Sequence, residues 1–236
     1  MGRRPPPPSE LVEQQILRWQ AAQRARRAAA QASGTPSERA SPPPAVTVSR
    51  EAWSQGTELA KRVAERLGFD LWDQELVHRV AEQAGVSRAM LEAIDEHRRG
   101  VIENLIGAVL HGEMLSEREY VAQLLAVIHA VAEHGRAVIV GRGAQFVLAP
   151  ASVLRVRVVC PVEVRTENLA RASGRGAAAA REEIARIDRE RATFVRSAFD
   201  RDVADTAAYD LVVNTGWVSL DRGVDLVAAA YRAKFE

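Results

Sequence analysis

The chain has 236 residues, 47% of them hydrophobic, so it is long enough to bury a large core, and one domain is expected once its N-terminal tail is set aside. Lys and Arg number 32 against 31 Asp and Glu, a net charge of +1, which excludes a global field for holding nucleic acid or an anionic membrane. A single cysteine, Cys160, excludes an internal disulfide framework, no apolar stretch reaches the roughly 18 to 20 residues of a membrane span, and the N-terminus lacks the apolar centre of a secretory signal, so a cytoplasmic location is expected.

Residues 1–44 differ in kind from the rest. They open on Pro5 to Pro8 and close on Pro42-Pro43-Pro44, clusters that favour extended polyproline conformation and bury little surface. Between them Leu11, Val12, Ile16, Leu17 and Trp19, set among Ala and Arg, read as a helix over about 9–31. That helix is open to three roles: docking on the body, recruiting a partner or forming a homodimer, and staying solvated.

From Ala45 strand-like and helix-like segments alternate, which predicts an α/β domain over 45–236 with a mainly parallel sheet. The apolar runs at 46–48, 69–72, 137–140, 154–160 and 211–213 predict five strands. Helices are expected at about 57–67, 73–84, 87–99, 101–111, 116–134, 162–173, 180–203 and 219–235. Ser116 with Glu119 forms a capping box, and Ser219 is placed to cap the last helix. No strand is expected between about 74 and 134, so that block reads as a helical insertion beside the sheet. Cys160, inside an apolar run, reads as a buried inert thiol. The five histidines show no metal-ligand spacing, so no metal site is expected.

Between the first strand and the first helix of the body lies Ser49-Arg50-Glu51-Ala52-Trp53-Ser54-Gln55-Gly56-Thr57. It occupies a phosphate loop's place without a phosphate loop's residues. Such a loop uses glycines to let backbone N–H groups converge on phosphate oxygens, and a lysine to reach the outer phosphates. Here one glycine, Gly56, remains, and Thr57 follows it. A non-glycine residue in a glycine-only conformation costs roughly 1 to 3 kcal/mol, and the Trp53 indole is large enough to fill a phosphate's space. Either the loop has another shape or ATP binds weakly.

Three separated motifs, Val46-Thr47-Val48-Ser49-Arg50-Glu51, Val138-Ile139-Val140-Gly141-Arg142-Gly143-Ala144 and Tyr209-Asp210-Leu211-Val212-Val213-Asn214-Thr215, resemble the cytidylate kinase-like family over about 45–235. The resemblance implies a five-stranded parallel sheet flanked by helices, as in P-loop nucleoside monophosphate kinases. It also implies a helical acceptor insertion at about 74–134 and a lid at about 176–205. The activity implied is transfer of the ATP γ-phosphoryl to CMP or dCMP with Mg2+, the partner being a small-molecule nucleotide. By the same resemblance Ser54, Gly56 and Thr57 would face the ATP phosphates, Asp73, Arg79 and Arg142 would grip the acceptor, and Arg189 and Arg191 would close over the transferring group. Gly56 falls where true cytidylate kinases have lysine, and Trp53 and Gln55 fall where the family usually has further glycines.

Each of these residues also has a plainer reading. Arg142 follows a strand and a glycine and could pair with a carboxylate at the sheet end. Arg79 fits the solvated face of an amphipathic helix. Arg189 and Arg191 sit in a mixed-charge series typical of an exposed helix. Asp73 is placed to cap a helix. The functional alternatives are therefore a kinase of cytidylate type and a non-catalytic nucleotide-binding or interaction module that kept the fold and lost the loop.

Overall fold

The computed structural model of the chain describes residues 43–82 and 115–236, together with Leu17 and Ala21. Apart from Leu17 and Ala21, both helical, the expected tail helix lies outside the described residues, as do the helices expected at 87–99 and 101–111 and the side chains of Ser116 and Glu119. The elements run in chain order β1 (Ala45–Arg50), α1 (Gly56–Leu67), β2 (Asp70–Trp72), α2 (Gln74–Glu82), α3 (Leu115–His134), β3 (Ala137–Val140), α4 (Ala144–Val147), β4 (Val153–Val159), α5 (Val162–Ser173), α6 (Ala177–Phe199), β5 (Leu211–Asn214) and α7 (Leu220–Phe235).

The five strands form one sheet in the order β2-β3-β1-β4-β5, and every pairing is parallel. Parallel strands are covered on both faces, which is why β1 and β3 read as unbroken apolar runs. One face carries α1 and α7, whose Leu59, Val63, Val224 and Val227 pack on Val46, Val48 and Val156. The other carries α2 and α3, whose Val77, Val80, Leu124 and Ile128 pack around Ile139. A third, smaller cluster of Ala52, Leu169, Ala180 and Ile184 seats α5 and α6 against the loop after β1. Among the described residues no helix is long and apolar enough to cross a membrane.

Local chemistry sets the boundaries. α1 ends where Gly68 takes a left-handed φ of 66° and its N–H bonds back to Glu65 O at 3.3 Å, a turn that a glycine enters without a Cβ penalty. Ser219 Oγ accepts the Arg222 N–H at the start of α7, the expected cap. α6 spans 177–199 rather than the expected 180–203. Ala177, Ala178 and Ala179, strong helix formers, extend it upstream, and Asp200 at φ 49° ends it. The four-residue α4 was not expected, being too short to show a helical period.

Asp210 fastens the sheet's β5 edge. Its carboxylate accepts from the Arg155 N–H at 2.8 Å, Arg155 Nη2 at 2.9 Å and Lys234 Nζ at 2.8 Å, while its own N–H donates to Arg155 O at 2.8 Å. Burial pushes the Asp210 carboxyl up, but the hydrogen bonds from Arg155 and Lys234 outweigh it and bring it down to about 2. A folded pKa below the ordinary 3.8 adds stability above that value and loses it as pH falls toward 2. Asp210→Asn should cost about 2 kcal/mol at pH 7. Urea unfolding of the variant should also lose part of the wild-type slope of stability against pH between pH 4 and 2.

Candidate functional site

The carboxyl ends of β1, β3, β4 and β5 converge beside β1, where the strand order reverses, the place where open parallel sheets bind ligands. The loop leaving β1 keeps a glycine-type backbone without the glycines: Trp53 and Gln55 have φ of 61° and 60°. Both are non-glycine residues in the left-handed region, a conformation that surrounding contacts must hold. Those contacts are specific. The Ala52 N–H donates to Asp188 Oδ1 at 2.8 Å, and Arg165 Nη1 donates to Ala52 O at 3.3 Å and to Asp188 Oδ2 at 2.5 Å. Glu51 Oε2 accepts the Cys160 N–H at 2.9 Å, and Thr215 Oγ1 donates to Ser54 O at 2.7 Å. Strands β4 and β5 and helices α5 and α6 thus all hold the loop.

Beyond the loop, α1 begins at Gly56 with no side-chain cap at Gln55. Its first N–H groups have no partner within the helix and carry the positive end of its dipole. They border a cavity of about 470 Å³ whose wall includes Arg50, Trp53, Gln55, Thr57 and Arg191. The Trp53 indole is 39% exposed and forms part of that wall rather than filling the space.

A second cavity, of about 480 Å³, adjoins the first and shares Arg50, Glu51, Ile187 and Arg191 with it. Four guanidinium groups face it, those of Arg50, Arg142, Arg157 and Arg191. Their partners are few: Arg50 Nη2 donates to Gln74 Oε1 at 2.8 Å, Arg157 Nη1 to Ser49 Oγ at 2.7 Å and Arg191 Nη1 to Arg50 O at 3.2 Å. Arg50 Nε and Arg142 Nε are buried with no hydrogen-bond partner. Arg142, at φ 54°, stands over the Phe194 ring at 5.8 Å. The carboxylates of the wall have commitments elsewhere: Glu51 and Asp188 to the loop network, Glu190 to Arg186, and Asp202 to the Ala204 N–H and Arg196. Burial and then the neighbouring Arg191 and Arg142 hold the Arg50 pKa down to about 9, against a smaller opposing pull from Asp73. Burial likewise lowers that of Arg191. Such a cavity attracts an anion, and both volumes lie in the range of small-molecule sites.

The expected residues fall into place unevenly. Gly56 and Thr57 border the first cavity, as does Ser54, whose fully buried hydroxyl is spent on Glu51 O at 2.9 Å. Arg142 lines the second cavity and Arg191 the wall between the two. Arg189 opens instead on a third cavity beside Tyr120 and Arg186, because residues two apart on a helix face different sides. Asp73 Oδ1 accepts the Leu76 N–H at 2.8 Å and so caps α2. Arg79 belongs to α2, and its side chain lies outside the described ones. Sequence reasoning missed Arg50, Arg157, Arg165 and Asp188. The available signal was Arg157 within the apolar β4, since a charge in a buried strand demands a purpose.

Two substitutions test the loop's construction. Gln55→Gly should raise stability by up to about 1 kcal/mol in urea titration, relief of the left-handed strain exceeding the added freedom of the unfolded chain. Asp188→Ala should lower stability by about 3 kcal/mol in the same titration, because it leaves the buried Arg165 guanidinium short of its closest anion.

The family model described as the cytidylate kinase-like family matches residues 45–216. A cytidylate kinase of Pyrococcus horikoshii is 28% identical over 186 residues, covering 78% of this chain and 86% of that protein. A uronate isomerase of Corynebacterium glutamicum is 32% identical over 110 residues, 46% of this chain, and the chain spans only 21% of that protein's length. An uncharacterised protein from Eubacterium ventriosum, 20% identical, superposes with a TM-score of 0.66 over 81% of this chain and 99% of its own, a likeness of fold. With its five-stranded parallel sheet and a family match that takes in the loop after β1, the arginine-bearing turn after β3 and the end of β5, the chain belongs to the cytidylate kinase-like family.

Proposed function

We propose that this protein is a nucleoside monophosphate kinase that moves the γ-phosphoryl of ATP to CMP or dCMP. The observation that carries the reading is the pair of adjoining cavities sharing one arginine-bearing wall. Phosphoryl transfer needs a donor and an acceptor held in line with positive charge between them, and little covalent chemistry from the protein. The cavity at the amino end of α1 suits a donor polyphosphate, with the backbone of Ser54, Gly56 and Thr57 toward the phosphates. The guanidinium-rich cavity suits the acceptor phosphate, with Arg142, Asp73 at the cap of α2 and Arg79 of α2 assigned as its grip. Arg191 in the shared wall is assigned the neutralising role. Arg189, facing elsewhere, would join it only if α6 moved. The cytidylate kinase relative favours a cytosine acceptor.

Among the described residues no cluster of three His, Cys, Asp or Glu side chains could hold a metal ion. Mg2+ would be bound chiefly through the nucleotide's own phosphates and water, with the hydroxyl of Thr57, a residue of the cavity wall, as the side chain that would hold it. Bound there, the ion would neutralise charge on the donor phosphates. No side chain is assigned as an obligatory base.

Two observations favour a second reading, a nucleotide-binding module without catalysis: no lysine stands at the loop, and Asp188 already accepts one of its N–H groups. A coupled assay with ATP, Mg2+ and each of CMP, dCMP, UMP and AMP separates the two. CMP or dCMP should turn over, and Arg142→Ala and Arg191→Ala should each lower kcat/KM by about 100-fold or more. Nucleotide-induced thermal stabilisation without turnover of any acceptor would establish the second reading.

A further inference from the structure

The loop's missing lysine has a structural counterpart. A Cβ built on Gly56 would lie 2.5 Å from Arg50 Cβ and 3.1 Å from both Arg50 Cγ and Val158 Cβ. The first contact is closer than real Cβ atoms approach, and it is made by the stem of Arg50 near the backbone, where no rotamer gives relief. A side chain at position 56 and a side chain at position 50 therefore exclude one another. At the other end of the arginine, Nη1 occupies the space a Cβ on Gly141 would need, and Nη2 is tied to Gln74 Oε1 at 2.8 Å. The Arg50 side chain thus lies in a slot bounded by two bare glycines and ends against a hydrogen-bonding side chain. This slot leads to the wall shared by the two cavities.

We propose that Arg50 is the phosphate-binding cation of this site, supplied from the end of β1 in place of a lysine at position 56, with Gln74 as its positioning residue. The proposal rests on the phosphotransferase reading above and names the group that meets the substrate phosphates there. Three observations converge on it. Arg50 Nε is buried without a partner. Arg142 and Arg191 crowd the guanidinium in the free protein, an arrangement that bound phosphate would relieve. A cation beside the loop, Arg165 of α5, is consumed by Asp188, Ala52 O and Cys160 O. A guanidinium also presents several donors in a plane, so one arginine can bridge phosphates across both cavities where a lysine offers a point charge.

The test uses the full chain and reads affinity as well as rate. In titration calorimetry with ATP and Mg2+, and separately with CMP, Arg50→Met should bind at least one of them about 10- to 100-fold more weakly. The melting temperature of the free variant should stay level or rise, since a crowded charge is removed, an outcome that a purely structural arginine would not give. Arg50→Lys should recover part of the affinity. Gly56→Lys alone should lower the melting temperature, and Arg50→Gly combined with Gly56→Lys should regain both stability and ATP binding. Unchanged affinity for both ligands in folded Arg50→Met overturns the proposal, as does Gly56→Lys at wild-type stability. If Arg50→Met does not fold, the double variant decides: ATP binding regained supports the exchange, and a folded double variant without it refutes it. Wild-type binding without turnover removes the kinase reading and leaves Arg50 to be judged by these affinities. Absence of nucleotide binding in the wild type overturns both.

Discussion

The site depends on one carboxylate. Asp188, on α6, accepts the Ala52 N–H and pairs with Arg165 of α5, while Glu51 bonds the Cys160 N–H at the end of β4. Arg165 is only 8% exposed, so its charge needs this company. In return the loop after β1 holds two non-glycine residues in left-handed geometry. A free loop with tryptophan and glutamine at those positions would settle into other conformations. Tethered to two helices and to the ends of two strands, it presents the amino end of α1 to a cavity.

Around that loop the fold gathers like charges. Arg50, Arg142, Arg157 and Arg191 come from β1, the turn after β3, β4 and α6, four places far apart in the chain that meet at one end of the sheet. Desolvation and mutual repulsion make this costly in the free protein, and both act to lower the pKa of Arg50. Core packing on both faces of the sheet supplies the stability against which such strain is held. An arrangement of this type is ready for an anion before the anion arrives, and little reorganisation is left for the moment of binding.

Much of the architecture was legible in the sequence because parallel strands buried on both faces leave plain apolar runs. All five strands lie within a residue or two of those runs, and α5 falls where its pattern put it. The glycine-poor loop was visible too, as was the turn carrying Arg142. What could not be read depends on neighbours distant in the chain. The role of Arg50 emerges only when Gly56, Gly141 and Gln74 are seen around it. Arg189 and Arg191 look equivalent along the sequence, and only the seating of α6 through Ala180 and Ile184 shows which of them turns toward the cleft. Asp188 had been one charge among many in a mixed series, and its distinction comes from the Ala52 N–H opposite it.

The position of Asp188 and Arg191 within one turn of the same helix has a mechanical result. Any swing of α6 that widens the cleft pulls the carboxylate off the loop and draws the guanidinium out of the shared wall in a single movement. Release of the Ala52 N–H and withdrawal of a positive charge from the wall between the two cavities are then synchronous. One rigid rod thus couples the fastening of the loop to the charge beside it, and neither can shift without the other.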